Sequence, residues 1–279
     1  MKLLSKMLSN TPPPREPREL WKHFSKTYMS LRVGLTLLAF TMPFVLFLYG
    51  KFRHGLELQP SMSAYFWAAA QDQCATFPMR TIFVGFLFAM GVGLLLYKGL
   101  TKLENFLLNA ASLCAFTVAI YPERLSLTEA ASDQRVAQLF ESCPAVKAWA
   151  TLPSPPIHYM AAVILFVLLA IVAWKCADKS LEYLPTGHNP AYFQRVYRII
   201  ALLMIFFPII GLAVAYLFGV WSDKVFFIEA AGVLMFGVYW AVKTRELWLS
   251  RVENDPVEAV QHAEQRQAVE KQAEKDARL

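Results

Sequence analysis

Residues 157–174 read IHYMAAVILFVLLAIVAW, eighteen positions without an Asp, Glu, Lys or Arg. A bilayer core about 30 Å thick is crossed by a helix of roughly 20 apolar residues, with about 17 as a working minimum. Five other blocks come near or above that length: Val33–Tyr49, Thr81–Tyr97, Phe106–Tyr121, Ile199–Trp221 and Val225–Val242. The third is lengthened by a polar entry at Lys102–Asn105, and the sixth carries one charge, Glu229. Lipid offers the backbone no hydrogen-bond partners, so such segments must satisfy their own N–H and C=O groups. Continuous runs satisfy them as helices. A transmembrane barrel needs alternating segments of about ten residues, and these runs do not alternate. Across the 279 residues, 56% are hydrophobic, above the roughly 45–50% of soluble domains. The expectation is an all-α integral membrane six-helix bundle.

The first apolar run follows some thirty mostly polar residues, and no small-residue cleavage site comes after it. That argues against a cleaved signal peptide and for a first helix that stays as an anchor. Six spans put both termini on one side. If that side is cytoplasmic, about twenty of the 27 Lys and Arg residues lie inside and seven outside. The positive-inside rule then favours N-in/C-in in a bacterial inner membrane. The basic excess reads as topology and attraction to anionic lipid. No motif supports a nucleic-acid partner. Trp174 and Trp240 fall at proposed inner ends, and Tyr49, Tyr121 and Trp221 at outer ends, where interfacial aromatics belong.

This divides the chain into a cytoplasmic segment (1–30), a six-span domain (31–245) and a charged cytoplasmic C-terminal helix (246–279). TPPPREPREL should be irregular, with helix resuming at Leu20–Tyr28. Trp21 and Phe24 among Lys22, His23 and Lys26 fit either an amphipathic surface stretch or a solvated extension of the first helix. The tail from Val257 is rich in Ala, Glu, Gln and Lys and too poor in large apolar residues for a coiled coil. It reads as a solvated helix, or as a helix (257–279) that binds a cytoplasmic partner or a second copy. Two outer loops, 50–80 and 122–156, carry one cysteine each, Cys74 and Cys143. In an oxidising compartment they invite a disulfide, or else stay as two free thiols. The second loop holds a helical segment, LTEAASDQRVAQLFESC, with Thr128 as a plausible cap.

Small residues let helices approach closely in lipid. Gly85, Ala89 and Gly93 share a stripe on the second span. Ala111, Ala115 and Ala119 do so on the third, and Gly237 and Ala241 on the sixth. This suggests that the second, third and sixth spans form the tight centre.

QPSMSAYFWAAAQDQC, Gln59–Cys74, is too polar to span and sits between the first two runs. It reads as a partly helical flap, Met62–Gln71, over the outer end. Intramembrane charge usually faces protein or water. Glu229 and Arg80 lie at that level, and His158 begins the fourth span there. With Ser61, Ser63, Tyr65 and Asp72 from the flap they form a candidate polar site. Arg80 would grip a phosphate or carboxylate head group, for which guanidinium geometry is suited. The plainer alternatives are an Arg80–Glu229 salt bridge, a His158 that only caps its helix, and serines that only cap the flap. A membrane hydrolase would set Ser61 or Ser63 beside His158, with Asp72 or Glu229 orienting it. No HExxH, no phosphate loop and no intramembrane retinal lysine is present, so neither metal nor cofactor is implied.

SMSAYFW, RTIFVGFLFAMGVGLLLYKG, NAASLCAFTVAIYP, IHYMAAVILFVLL and FFIEAAGVLMFGVYWAVK together resemble a group of bacterial six-span membrane proteins, broadly similar to the FRAG/DRAM type. The resemblance covers roughly residues 30–245. It implies a six-helix bundle with a polar outer rim at Ser61, Ser63, Tyr65, Arg80, His158 and Glu229, and a role toward membrane lipids. It implies no established reaction.

Overall fold

The computed structural model describes residues 17–71, 74, 76–123, 125, 134–151, 156–218, 224–252 and 255–276. Among them the regular structure is helical: α1 (Pro17–His54), α2 (Pro78–Leu96), α3 (Lys102–Ile120), α4 (Gln134–Ser142), α5 (Pro144–Thr151), α6 (Ile157–Ile171), α7 (Pro190–Phe218), α8 (Lys224–Ser250) and α9 (Pro256–Asp276). Six helices are long and apolar enough to cross a membrane: α1 from Ser25, α2, α3, α6 with its continuation to Tyr183, α7 and α8.

The six pack as a closed ring. Each touches its neighbour in chain order, α1 to α2 to α3 to α6 to α7 to α8, and α8 closes on α1. Small residues stand where the ring is tightest. A Cβ on Gly91 of α2 would meet the Phe116 ring of α3 at 2.6 Å, and one on Gly93 would meet Leu35 of α1 at 2.7 Å. Ser112 of α3 donates to the Gly91 carbonyl at 2.8 Å, adding a polar tie between the same two helices.

The small-residue reading therefore needs correction. α2, α3 and α8 are not a central trio. Gly237 of α8 faces Ala39 and Phe40 of α1, while Gly85 meets no neighbour within 4 Å.

Several boundaries move as well. Helix α1 begins at Pro17, not Leu20, and passes through Pro43. Pro17 stands in the first turn, where its missing N–H costs nothing. Helix α6 runs into a wider π turn, Val172–Cys176, and then a 3₁₀ stretch, Ala177–Tyr183. Helix α8 continues to Ser250, past the expected domain edge at 245. At the head of α3, Thr101 accepts from Glu104 N–H at 3.1 Å while Glu104 reaches back to Leu100 N–H at 3.0 Å. This is a variant of the reciprocal capping box.

Trp240 is not interfacial. It is fully buried, against Tyr97 at 4.8 Å and Tyr239 at 5.3 Å. Trp174, Tyr49 and Tyr121 do stay exposed, whereas Trp221 lies outside the described residues. So does Thr128, the expected cap of the loop helix, which is seen over Gln134–Ser142.

The flap contributes only one 3₁₀ turn, Ser63–Phe66. A disulfide joins Cys74 and Cys143 and ties the α1–α2 connection to α4 and α5. At the opposite end, α9 lies on its own bundle: Ala259 is buried, and Arg266 donates to the carbonyls of Leu184, Pro185 and His188.

Candidate functional site: a polar cap over an apolar shaft

Within the ring is a cavity of about 80 Å³. Helix α2 lines it with Phe83, Leu87, Met90 and Leu94, one helical stripe. Eleven residue-to-residue steps at 1.5 Å each make that stripe about 16.5 Å long. Ala115, Leu165 and Phe236 face the same space from α3, α6 and α8. The walls are apolar apart from Ser63 and Glu229.

Those two close one end. Pro60 accepts from the N–H of Phe226 at 2.8 Å, which lays the flap against the start of α8. Glu229, one turn further, then accepts from Met62 N–H at 2.7 Å and Ser63 N–H at 3.4 Å through Oε2. Ser63 Oγ lies 3.4 Å from Oε1. His158, only 4% exposed, stands at the N-terminal end of α6. Its Nδ1 is 2.7 Å from the Tyr121 carbonyl and its Nε2 is 2.9 Å from Ser63 Oγ. A carbonyl can only accept, so Nδ1 carries a proton. In the neutral ring Nε2 accepts from Ser63. In the imidazolium Nε2 donates, and the serine proton turns toward Glu229. The three side chains thus form a short relay as well as a hydrogen-bonding cap.

Arg80 is not part of it. The residue sits at the same end, but its guanidinium lies 4.1 Å from the Phe77 ring centroid, 4.2 Å from Phe66 and 5.1 Å from Trp67. Its Nε donates to the Phe66 carbonyl at 3.3 Å. No Arg80–Glu229 salt bridge forms. Phe66 and Trp67 of the flap, with Phe77, cage the guanidinium.

The other flap residues hold the cap in place. Ser61 accepts from Ala64 N–H at 2.8 Å and donates to Glu123 at 2.6 Å, so it does cap the turn. Tyr65 is buried beside Phe226, outside the cavity lining, and burial pushes its hydroxyl above the ordinary phenol value against an opposing backbone contact with Gln59. Asp72 lies outside the described residues. Glu123 is the residue that sequence reasoning missed at this end. It also takes Tyr159 OH at 3.2 Å, and its carbonyl takes Trp67 Nε1 at 3.0 Å.

No family model, curated protein or solved structure matches this chain. The site therefore stands on its own geometry. Among the described residues no three His, Cys, Asp or Glu side chains group as metal ligands.

A second polar centre, unforeseen in the sequence, closes the far end. Lys243 and Glu246 of α8 are 2% and 0% exposed and lie 3.0 Å apart. Lys243 also donates to Ala177 O and Ser180 Oγ, while Glu246 Oε2 takes Ser180 and, at 2.8 Å, Tyr197 OH. The network joins α7, α8 and the 3₁₀ stretch after α6, and neither charge reaches the cavity. The sequence signal was the i, i+3 pair itself, KTRE, which reads equally well as a solvated helix end.

Proposed function

We propose that this chain is a multi-pass membrane protein that binds an amphiphile, placing an apolar tail in the shaft and a hydrogen-bonding head against Ser63, His158 and Glu229. The observation that carries this reading is the pairing of an almost wholly apolar lining with a polar cap at one end only. Ligand pockets of this kind use apolar walls for affinity and a few converging polar groups for orientation. Met42, Met62 and Met90 add an adaptable surface suited to a flexible chain. The charge asymmetry supports a cap on the outward side of a bacterial inner membrane, and the resemblance to the FRAG/DRAM type supports a lipid-directed role.

The test is extraction and mass spectrometry of amphiphiles that copurify with the full chain. Wild type should retain a species that Ala115→Trp, which fills the shaft, does not. An identical complement in both would end the proposal.

A second reading, a lipid hydrolase with Ser63 as nucleophile and His158 as base, is favoured by their 2.9 Å contact. Against it, the Met62 and Ser63 N–H groups that could stabilise an oxyanion are given to Glu229. A fluorophosphonate probe would settle it. Modification of Ser63 that His158→Gln prevents supports hydrolysis, and an unmodified Ser63 rejects it.

A further inference from the structure

Among the described residues, Glu229 is the one carboxylate that lines the cavity. Two backbone N–H groups donate to it, and the Ser63 hydroxyl, shared with His158, lies 3.4 Å from Oε1; all three groups are neutral. The ionisable groups around it do not offset its charge. His158 is one hydroxyl away, beyond ion-pair range, with Nδ1 committed to Tyr121. Glu123 lies within electrostatic reach and has the same sign. Arg80, at the same end of the bundle, is held by its aromatic cage.

The far end of the same bundle shows how this chain stabilises a buried carboxylate that needs a partner: Glu246 has Lys243 at 3.0 Å. A carboxylate in an apolar environment is costly unless paired, and intramembrane charges mark functional positions by default. Below Glu229 the shaft offers only hydrocarbon walls. A molecule that suits both features carries positive charge at one end and an alkyl or aryl body at the other.

From this geometry we infer that the ligand is a cationic amphiphile whose ammonium group pairs with the Glu229 carboxylate under the flap. The inference rests on the amphiphile-binding reading and adds the sign of the head group. It reverses the anionic head that Arg80 suggested in the sequence. Ser63 and His158 then act as positioning residues: their bonds fix the flap turn and aim the carboxylate down the shaft.

The test uses full-length protein in maltoside micelles and three photoaffinity probes that share one diazirine-bearing dodecyl chain. The heads are trimethylammonium, hydroxyl and sulfate. Adducts are mapped to peptides by mass spectrometry. The trimethylammonium probe should label the peptides holding Met90 and Phe236 at least tenfold more efficiently than the alcohol, and the sulfate least of all. Glu229→Gln should erase the preference for the ammonium probe over the alcohol. If the alcohol labels the cavity as well as the ammonium probe in wild type, or the preference survives Glu229→Gln, the cationic head is wrong and amphiphile binding stands. If no probe labels the cavity, both fall. The wild-type comparison of heads decides the sign even if the variant does not fold.

Discussion

Replacing Lys243 by Met should be among the most damaging single changes in this protein. The side chain is 2% exposed, and all three ammonium protons are used, on Ala177 O, Ser180 Oγ and Glu246 Oε2. Methionine keeps the stem and removes every one of those bonds. Glu246, 0% exposed, would retain its charge with only Ser180 and Tyr197 to hold it. Breaking one side of a buried pair costs about 3–5 kcal/mol, chiefly through the charge left behind. Glu246→Leu should cost a similar amount for the mirror reason.

The double variant removes both charges together. It should lose markedly less than the sum of the two, a coupling of at least about 2 kcal/mol. The residual loss reflects the Tyr197 hydroxyl and Ala177 carbonyl left without these partners. Thermal unfolding of the purified chain in micelles measures the ranking. Alkylation of Cys176, 2% exposed at the same end, in a Cys114→Ala background reports local opening. Two single variants that each cost less than about 1 kcal/mol, or effects that simply add, would show that the network does not hold this end closed.

Other outcomes follow from individual contacts. Thiol labelling without reductant should spare Cys74 and Cys143 and reach them after reduction; ready labelling of either would remove the staple. Gly91→Ala drives a Cβ into Phe116, so it should cost about 1–3 kcal/mol as overpacking, and Phe116→Leu in the same chain should recover part of it. Arg80→Ala should cost about 2 kcal/mol through its lost aromatic stack. With Glu229→Gln it should be additive, and strong coupling between them would restore the salt bridge that the coordinates do not show.

The spans were legible because lipid leaves the chain few choices. A charge-free run such as Ile157–Trp174 has to be helix, and the sequence alone says so. The ring was not legible. Small residues mark a close approach but not its partner, and the Gly237 that seemed to face α2 or α3 faces α1. His158 and Glu229 could be named because an ionisable group inside a span is rare. Their meeting at Ser63 depends on how the flap folds back over the ring. Arg80 stays apart from Glu229 for a related reason. A guanidinium next to FW and F in the chain is as well served by aromatic faces as by an acid, and only the fold decides which. Lys243 and Glu246 did not stand out because a charged pair after a hydrophobic run normally ends a span. Here the run continues through them, and the neighbouring 3₁₀ stretch supplies the polar atoms they need.

The two inward-facing glutamates of α8, Glu229 half-buried and Glu246 fully buried, should answer the same substitution differently. Glu246→Gln strips Lys243 of its counter-charge and should destabilise by several kcal/mol, as above. Glu229→Gln removes a carboxylate that no cation among the described residues offsets. Its remaining carbonyl can still accept from Met62 and Ser63 N–H, the contacts that fix the flap. Stability should stay level or rise by about 1 kcal/mol, as when a functional group is exchanged for one that suits its surroundings better. Micelle unfolding of the two variants side by side gives the comparison. A loss at Glu229→Gln as large as that at Glu246→Gln would make Glu229 a structural anchor, and the cap would lose its claim to a ligand.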